Sequence, residues 1–474
     1  MAILAIDQGT SGTKALLIEN NKVISRGFCS VQVQHFSEGK VESNPAEIWN
    51  SIVFAVTSCL DSSEAKSIQI HSVSLANQGE SVLAWDSKTL EPVSQVLIWQ
   101  DSRSANLCQE RSKYTSLIRE LTGLENDPYF VAPKLAWLKN LHPNNCEITT
   151  LDSWLIAKLT GEFITDISTA SRSMLTNLET GQWDKELIEI WGLQNHNFPK
   201  IINNDAIVGE INSLDLPDLK GIPLAGLIVD QAAALLAENC LQAGEAKCTY
   251  GTGAFLLTNI GNQKKISQNR LSTSIAWKVS DSFCYYEDGQ VFTATSAVDW
   301  LLTNRFLHSV NEIDSLPLDT NGVFALPGFA GYGAPRWKPN GTASIFGLHL
   351  GVTRQELSRA VLNGIATQVT ELIEVIALDG SNIKQMRVDG GLTQSETLMQ
   401  FQADLAQVEI QVFPHPDATA IGVGVLGQLA LDSNLRLNQI DLEVKFSKNY
   451  YPNWSKDKAT EYLNDWRDKT KNLV

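Results

Sequence analysis

The sequence predicts an α/β protein with two similar lobes. Apolar strand-like runs alternate with helix signals through the first half, and the pattern restarts in the second half. Each half opens with two short apolar runs that bracket a turn of glycine and hydroxyl residues, Asp7–Lys14 in the first and Thr249–Gly253 in the second. This weak internal duplication predicts one phosphate-binding hairpin in each lobe.

Chain length and charge restrict the classes of protein that fit. At 474 residues the chain is too long for one core, so we expect two large domains, or three. We place a boundary near 242–245, which gives domains of residues 1–244 and 245–474. The net charge of −16 argues against nucleic acid or an anionic membrane as the main partner.

Cysteine usage and the amino terminus indicate the compartment. The seven cysteines include no Cys-x-x-Cys pair, which favours free thiols in a reducing cytosol over disulfides or a zinc site. The first residues have neither a basic n-region nor a long apolar h-region. We therefore expect no secretory signal and a cytoplasmic location.

The first glycine turn has the chemistry of a phosphate site. Gly9 and Gly12 let the backbone turn with positive φ and leave room for a ligand. Successive amide groups and hydroxyl side chains in such a turn form an anion-binding concavity. Lys14 adds a positive charge suited to phosphate, and Asp7 adds a carboxylate suited to Mg²⁺. The alternative interpretation is an ordinary β-hairpin with a polar tip.

Several elements follow from local signals. Asn44–Glu47 has an N-cap, a proline at the first helical position and an early acid, which predicts a helix to about Leu60. A second predicted helix, over residues 151–160, ends at Gly161, the usual place for a C-cap glycine. The apolar run Pro223–Val229 predicts a strand that delivers Asp230 to its carboxyl end, where α/β sheets place their ligands.

Two familiar motifs do not lead to a site. Gly422–Gly427 matches Gly-x-Gly-x-x-Gly, but no clean strand precedes it, so a helix with small residues for close packing is the better interpretation. The sequence contains no Gly-x-x-x-x-Gly-Lys-Ser/Thr, which excludes a P-loop, and no His-Glu-x-x-His.

Three glycine turns that each follow a short strand remain, at residues 9–12, 251–253 and 390–391. With their surroundings they resemble the FGGY carbohydrate kinase family, within the superfamily of actin, hexokinase and Hsp70 ATPases, and within that family the glycerol kinases. The resemblance covers nearly the whole chain. It is carried, in order, by Asp7–Lys14, Ile98–Arg103, Thr122–Gly123 with Asp127–Phe130, Asp230–Ala233, Thr249–Gly253, Gly333–Trp337, Val388–Gly391 and Met399–Asp404.

The resemblance implies two ribonuclease-H-like (actin-like ATPase) domains flanking a deep cleft, with the sugar or polyol on the first and ATP on the second. It implies that Asp230 is the general base for the attacking hydroxyl, and that Asp7 and Asp230 hold Mg²⁺. The ATP and phosphate contacts that it implies are Thr10, Ser11, Lys14, Gly251, Thr252, Gly253, Thr295, Asp299, Gly391 and Ser395.

The substrate side departs from the family at one position. The resemblance implies a substrate set of Glu80, Tyr129, Asp230 and Gln231, but Gly79 stands where the glycerol kinases carry an arginine that binds polyol hydroxyls. Loss of that charged donor costs about 1.5–3 kcal/mol of binding. The space left at this position suits a longer substrate. On the adenosine side, Ser395 replaces the family's usual asparagine and Asp299 a glutamine.

These observations predict an ATP-dependent kinase of a small polyol or sugar. Glycerol is one candidate substrate, and a four- or five-carbon polyol or ketose (erythritol, ribitol, ribulose or xylulose) is the alternative suggested by Gly79. A non-catalytic, actin-like ATP-binding protein has no need of Glu80, Tyr129, Asp230 and Gln231. A pseudokinase that uses the pocket as a sensor is a third alternative, and a homodimer is left open.

Overall fold

The structure is a computed structural model that describes residues 1–142, 146–440, 442 and 444–471. The elements of the first half are, in chain order, β1 (Ala2–Gly9), β2 (Gly12–Glu19), β3 (Lys22–Ser30), β4 (Val33–His35), β5 (Val41–Ser43), α1 (Pro45–Leu60), β6 (Ile70–Asn77), β7 (Val82–Trp85), β8 (Val96–Leu97), α2 (Ala105–Glu110), α3 (Thr115–Thr122), α4 (Val131–Leu141), β9 (Glu147–Thr150), α5 (Leu151–Thr160), β10 (Ile164–Asp166), α6 (Ile167–Ser171), β11 (Thr176–Asn177), β12 (Gln182–Trp183), α7 (Lys185–Ile190), β13 (Lys200–Ile202), β14 (Ile207–Glu210), β15 (Pro223–Val229) and α8 (Asp230–Ala237).

The elements of the second half are β16 (Ala246–Tyr250), β17 (Ala254–Gly261), β18 (Ser272–Val279), β19 (Ser282–Val291), α9 (Thr295–Thr303), β20 (Phe324–Leu326), β21 (Ser344–Phe346), α10 (Arg354–Leu378), β22 (Gln385–Asp389), α11 (Glu396–Ala406), β23 (Glu409–Val412), α12 (Ala418–Leu431), β24 (Lys448–Tyr450) and α13 (Lys456–Thr470).

The first half folds around a six-stranded sheet in the order β14-β15-β6-β1-β2-β3. Strands β1, β2 and β3 form an antiparallel meander, whereas β6 runs parallel to β1 and β15 runs parallel to β6. The carboxyl ends of the three parallel strands meet at one edge. This edge collects Asp7 near the end of β1, Gly79 just after β6 and Asp230 just after β15.

The second half repeats this arrangement in a seven-stranded sheet, in the order β18-β19-β17-β16-β22-β23-β24. Strands β16, β17 and β19 form the meander, and β22 and β23 continue the sheet in parallel with β16. The turn at Gly251–Gly253 follows β16, and Gly390 and Gly391 follow β22. The internal duplication and the two-lobed α/β fold expected from the sequence are confirmed.

Helix α12 comes from the second half of the chain but packs on the first sheet. It contacts β1, β6 and β15 and lies along α8. Its glycines permit this approach, because a Cβ on Gly422 would lie 2.0 Å from the carbonyl oxygen of Ala233, and one on Gly427 would lie 2.2 Å from Oγ of Ser74. The Gly-x-Gly-x-x-Gly spacing lies within a helix and serves its close packing, which confirms the interpretation as a helix with small residues.

Local signals predicted from the sequence are also confirmed. The side chain of Asn44 accepts a hydrogen bond from the amide of Ala46, and Pro45 opens α1. Helix α5 ends at Gly161, which has a φ of +82°. All seven cysteines carry free thiols.

Helix α10 is the one described helix that is long and apolar enough to cross a membrane by length and composition. Within its most apolar window, 72% of the residues are buried inside the fold, and it packs on α11, β17, β19 and β20. The central helix of a core passes the same test of length and composition, and this packing accounts for the apolar character of α10.

Candidate active site

A cavity of about 150 Å³ lies between the two halves, where β1, β6, β15 and β16 end. Both predicted glycine turns and the predicted substrate residues contribute to its wall. The predicted residues that line the cavity are Thr10, Ser11, Gly79, Glu80, Tyr129, Asp230, Gln231, Gly251 and Thr252.

The first turn connects β1 and β2 as a tight hairpin in which Gly9 pairs with Gly12, and the expectation that these two glycines have a positive φ is wrong. A Cβ on Gly12 would lie 2.7 Å from the carbonyl oxygen of Cys29, so a larger residue would displace the turn. The hydroxyl of Thr10 accepts a hydrogen bond from the indole of Trp99 at 3.0 Å, which fixes the tip of the turn against the cavity wall. Ser11 is exposed beside it.

The second turn connects β16 and β17 and is held from behind by the start of α9. The amide of Thr295 donates to the carbonyl oxygen of Gly251 at 2.9 Å, and the amide of Ala294 donates to that of Thr252 at 2.8 Å. A Cβ on Gly253 would lie 2.6 Å from the carbonyl oxygen of Val291. This turn is therefore rigid, and its glycine at 253 is required by the approach of a neighbouring strand.

Asp230 is the first residue of α8 and projects from the end of β15 into the cavity. Its Oδ1 accepts a hydrogen bond from the amide of Gln231 at 2.7 Å. Burial raises the pKa of Asp230 to about 7, and the negative charges of Glu80 and then Asp7 add to the rise. A carboxylate with a pKa near neutrality is suited to accept a proton from a hydroxyl group.

Asp7 lies on β1 directly opposite Lys14 on β2. Burial raises the pKa of Asp7 to about 6, partly offset by Lys14, while Asp417 and Asp389 raise it further. The ammonium group of Lys14 donates to the carbonyl oxygen of Pro416 at 2.6 Å and lies 3.4 Å from the carboxylate of Asp417. Lys14 is thus held by the segment that leads into α12, outside the cavity wall.

The polar end of the cavity is formed by the loop after β6. Glu80 has a φ of +52°, and only 5% of its surface is exposed. A Cβ on Gly79 would lie 3.0 Å from Cγ2 of Val229, so the space beside this residue is bounded by one aliphatic side chain. Gln231 also lines the cavity, and its side chain is held in place because its Oε1 accepts a hydrogen bond from Nζ of Lys247 at 2.6 Å.

Aromatic rings that the sequence analysis did not assign to the site close its sides. Trp99 and Phe255 line the cavity and meet edge to face with ring centroids 5.4 Å apart. Tyr129 stacks on Phe292 at 5.5 Å. Trp99 belongs to the Ile98–Arg103 motif, and Phe255 lies two residues after Gly253 of the second turn. Their closeness in sequence to predicted site residues was the signal that could have identified them.

Two buried cations behind the cavity wall were also missed. The ammonium group of Lys134 donates to the backbone carbonyls of Glu80, Tyr129 and Phe130, and burial lowers its pKa to about 8. The guanidinium of Arg172 donates to the carboxylate of Glu80 at 2.5 Å. Neither residue lies in a motif, and their contacts depend entirely on the tertiary fold.

Other predicted residues lie outside the cavity wall. Asp299 is exposed on α9, and Gly391 is exposed after β22. The hydroxyl of Ser395 caps α11 and donates to Asp314 at 2.7 Å. The predicted site residues in this group, whose roles stay predictions, are Asp7, Lys14, Gly253, Thr295, Asp299, Gly391 and Ser395.

Comparison with known proteins agrees with this architecture. A family model described as the FGGY family of carbohydrate kinases, N-terminal domain, matches residues 2–237, and its C-terminal counterpart matches residues 246–431. The glycerol kinase of Alkalilimnicola ehrlichii is 38% identical over 451 residues, 91% of each chain. That of Mycoplasmoides gallisepticum is 33% identical over 98% of this chain and 96% of its own. A crystal structure of Plasmodium falciparum glycerol kinase with ADP has a TM-score of 0.89 at 29% identity, covering 100% of this chain and 98% of its own.

The fold, the cavity and these relatives define the class of protein as a two-lobed phosphotransferase with an alcohol group as acceptor. The chain belongs to the FGGY family of carbohydrate kinases. It is a glycerol-kinase-like, ATP-dependent kinase whose substrate is a polyol or a sugar.

Proposed function

We propose that this kinase phosphorylates a small polyol or sugar with Asp230 as the general base. The observation that supports the proposal most is the position of Asp230, which projects between two glycine turns and a polar pocket and has a pKa raised to about 7. In the proposed reaction, Asp230 takes the proton of one substrate hydroxyl. The oxygen of that hydroxyl attacks the γ-phosphoryl group of ATP, and ADP leaves.

The glycine turns bind the triphosphate in this proposal. Backbone amides and hydroxyls at the tip of the first turn face the γ-phosphate, and those of the second turn face the other phosphates. Lys14 supplies a positive charge at the rim. The residues assigned to ATP are Thr10, Ser11, Lys14, Gly251, Thr252, Gly253, Thr295, Asp299, Gly391 and Ser395.

Asp7 and Asp230 are the residues that would hold Mg²⁺. In the described part of the chain, no three acidic, histidine or cysteine side chains form a ready-made metal cluster. One or two carboxylates together with substrate phosphates are the usual protein contribution to a Mg²⁺ site, and the half-buried Asp7 and Asp230 fit that donor set. Oδ1 of Asp389 is buried and has no hydrogen-bond partner among the described residues, and the charge of Asp389 contributes to the raised pKa of Asp7. The ion would neutralise charge on the phosphates when bound.

The hydroxyls of the substrate bind Glu80, Tyr129 and Gln231 in this proposal, beside Gly79. Glycerol is the first candidate, because the relatives that match this chain at 33% and 38% identity over at least 91% of its length are named glycerol kinases. A four- or five-carbon polyol or ketose is the second candidate, since Gly79 leaves open the space where a glycerol kinase carries an arginine. The proposal also includes a cytoplasmic location and a homodimer. Light scattering of the purified protein tests the homodimer.

A coupled ADP-release assay with ATP and Mg²⁺ tests the proposal over a panel of glycerol, erythritol, ribitol, xylitol, ribulose, xylulose and gluconate. We expect turnover with at least one neutral polyol or ketose and none of comparable efficiency with gluconate, because the pocket presents two carboxylates, Glu80 and Asp230. Turnover with no member of the panel contradicts the proposal. The variant Asp230→Asn is the matched control for contaminating kinases.

A further inference from the structure

Arg172 contacts the substrate pocket from behind. It follows α6, only 4% of its side chain is exposed, and it does not line the cavity. Its Nε donates to Oε1 of Glu80 at 2.5 Å. Its two terminal nitrogens donate to the two carboxylate oxygens of Asp288 on β19, at 2.8 and 3.2 Å. One guanidinium therefore joins a carboxylate of the substrate loop to a carboxylate of the second sheet.

The environment of Arg172 favours one fixed orientation. Besides Asp288, its Nη1 reaches the hydroxyl of Ser274 at 2.9 Å. Its Cζ lies 5.2 Å from the ring centroid of Phe130 and 5.8 Å from that of Tyr129. A guanidinium has its donors in a planar fork, so the bonds that its two terminal nitrogens make to Asp288 and Ser274 fix the direction of the remaining donor, Nε.

Fixing Nε has a direct consequence for Glu80. Its Oε1 is occupied by Arg172, while its Oε2 accepts no hydrogen bond from any described residue. The backbone carbonyl of Glu80 is bound by Lys134 at 3.1 Å. With the backbone held and Oε1 engaged by Arg172, Oε2 is the carboxylate oxygen that keeps its full acceptor capacity for a ligand in the cavity.

We infer that Arg172 is a positioning residue for the polyol: it holds Glu80 in the orientation in which Oε2 is the oxygen presented to a substrate hydroxyl. This inference rests on the proposed function, in which Glu80 binds the substrate. It also gives Glu80 a guanidinium partner in a chain where residue 79 is glycine. The site therefore keeps a charged pair at this end although it has no arginine directly in the pocket wall.

A purely architectural role is the competing explanation. The Arg172–Asp288 pair connects the two halves of the chain, and its loss would disturb the closure of the cleft as a whole. Such a disturbance would affect ATP and polyol alike, because both glycine turns and the polar pocket belong to the same cleft. An effect that acts through Glu80 would be confined to the polyol and would need the Glu80 carboxylate.

The test is a double-mutant cycle in the full-length kinase, with the best substrate from the panel and Mg²⁺-ATP. Arg172→Lys keeps the charge but loses the fork, and we expect the polyol KM to rise about tenfold with the ATP KM changed by less than about twofold. In a Glu80→Gln background, Arg172→Lys should change the polyol KM by less than about threefold, because its acceptor has already been altered.

Arg387→Lys is the matched control for replacing a buried arginine. Arg387 bonds Glu245 and Cys240 outside the cavity, and its variant should leave both KM values within about twofold of wild type. If Arg172→Lys does not fold, Arg172→Met with Asp288→Asn removes the buried cation and one partner charge together and has the same expected outcome.

Equal rises in the KM of ATP and polyol, an unchanged polyol KM, or the same effect of Arg172→Lys in both backgrounds would each overturn the inference. These results are distinct from failure of the proposed function, in which the wild-type enzyme itself turns over no polyol or sugar.

Discussion

The ammonium group of Lys247 donates a hydrogen bond to Oε1 of Gln231 at 2.6 Å, and the same group donates to Oγ1 of Thr249 at 2.7 Å. Since its oxygen is engaged, the carboxamide of Gln231 presents its amino group to the cavity that it lines. A lysine on β16 of the second half thereby orients a side chain on α8 of the first half, in the pocket that we assign to the polyol.

Lys247→Met removes this orientation, and we predict two effects. The polyol KM should rise by several-fold to about tenfold, because the carboxamide can then turn its oxygen toward the substrate. The pKa of Asp230 should rise above about 7, because the charge of Lys247 lowers it in the folded protein. The measurement is kcat/KM for the polyol as a function of pH.

Lys278→Met serves as its control, since Lys278 lies on β18 with its ammonium over the ring of Phe283 at 4.9 Å. It should leave the profile unchanged. A Lys247→Met enzyme with wild-type KM and an unshifted acidic limb would show that Gln231 does not depend on this contact.

Gly79→Arg tests the substrate assignment. Restoring a guanidinium at this position adds a charged donor for a polyol oxygen, and we expect the KM for glycerol to fall by about ten- to a hundredfold. The KM for a five-carbon substrate should rise, because the added side chain occupies the space. The new Cβ would lie 3.0 Å from Cγ2 of Val229, so a small shift of that side chain is needed.

Gly79→Ala introduces the same Cβ without the donor and is the matched control for this shift. A Gly79→Arg enzyme whose preference between glycerol and longer substrates equals that of Gly79→Ala would remove residue 79 from the account of specificity.

Glu80→Gln should move the pH dependence in a defined direction. The negative charge of Glu80 is, after burial, the largest cause of the raised pKa of Asp230. Without that charge the pKa of Asp230 falls, so the acidic limb of kcat/KM, which the raised pKa predicts near pH 7 for the wild type, should move to lower pH. The polyol KM should rise in the same variant. An acidic limb at the wild-type position would mean that another group controls it.

The raised pKa of Asp230 also predicts a pH-dependent cost to stability. Between the ordinary value of 3.8 and the folded value of about 7, the folded state binds more protons than the unfolded state, so stability falls as pH rises through this window. Asp230→Asn should therefore be more stable than wild type at pH 8 by a few kcal/mol at most. The advantage should disappear below about pH 4.

Thermal unfolding midpoints without nucleotide or divalent cations, measured from pH 4 to pH 8, check this prediction. A difference between Asp230→Asn and wild type that stays constant with pH would mean that Asp230 has the same pKa in the folded and unfolded states.

The parts of the fold and site that could be predicted depend on short-range signals. The hairpin at Asp7–Lys14, the capped start of α1 at Asn44 and the placement of Asp230 after β15 all follow from residues within a few positions of each other. The resemblance to the family also predicted residues of the pocket that no local signal indicates, and two of them, Glu80 and Tyr129, line the cavity.

The contacts that could not be predicted join distant parts of the chain. Arg172 and Asp288 are 116 positions apart, and Arg26 of β3 bonds Asp417, 391 positions away, where α12 packs on the first sheet. No local pattern in a single sequence specifies which buried acid a buried arginine will meet. Pairings of this kind depend on how the two sheets pack against helices α8 and α12, which lie against each other.

The variant Asp230→Asn in steady-state and nucleotide-binding assays tests the central claim most directly. Asparagine keeps the size of the side chain but cannot accept the substrate proton, so we predict that kcat with the best polyol falls by at least about a hundredfold. The affinity for ATP in the absence of Mg²⁺, measured by equilibrium titration, should stay within about twofold of wild type. A variant that folds, binds ATP and keeps a kcat near that of the wild type would contradict the assignment of Asp230 as the general base.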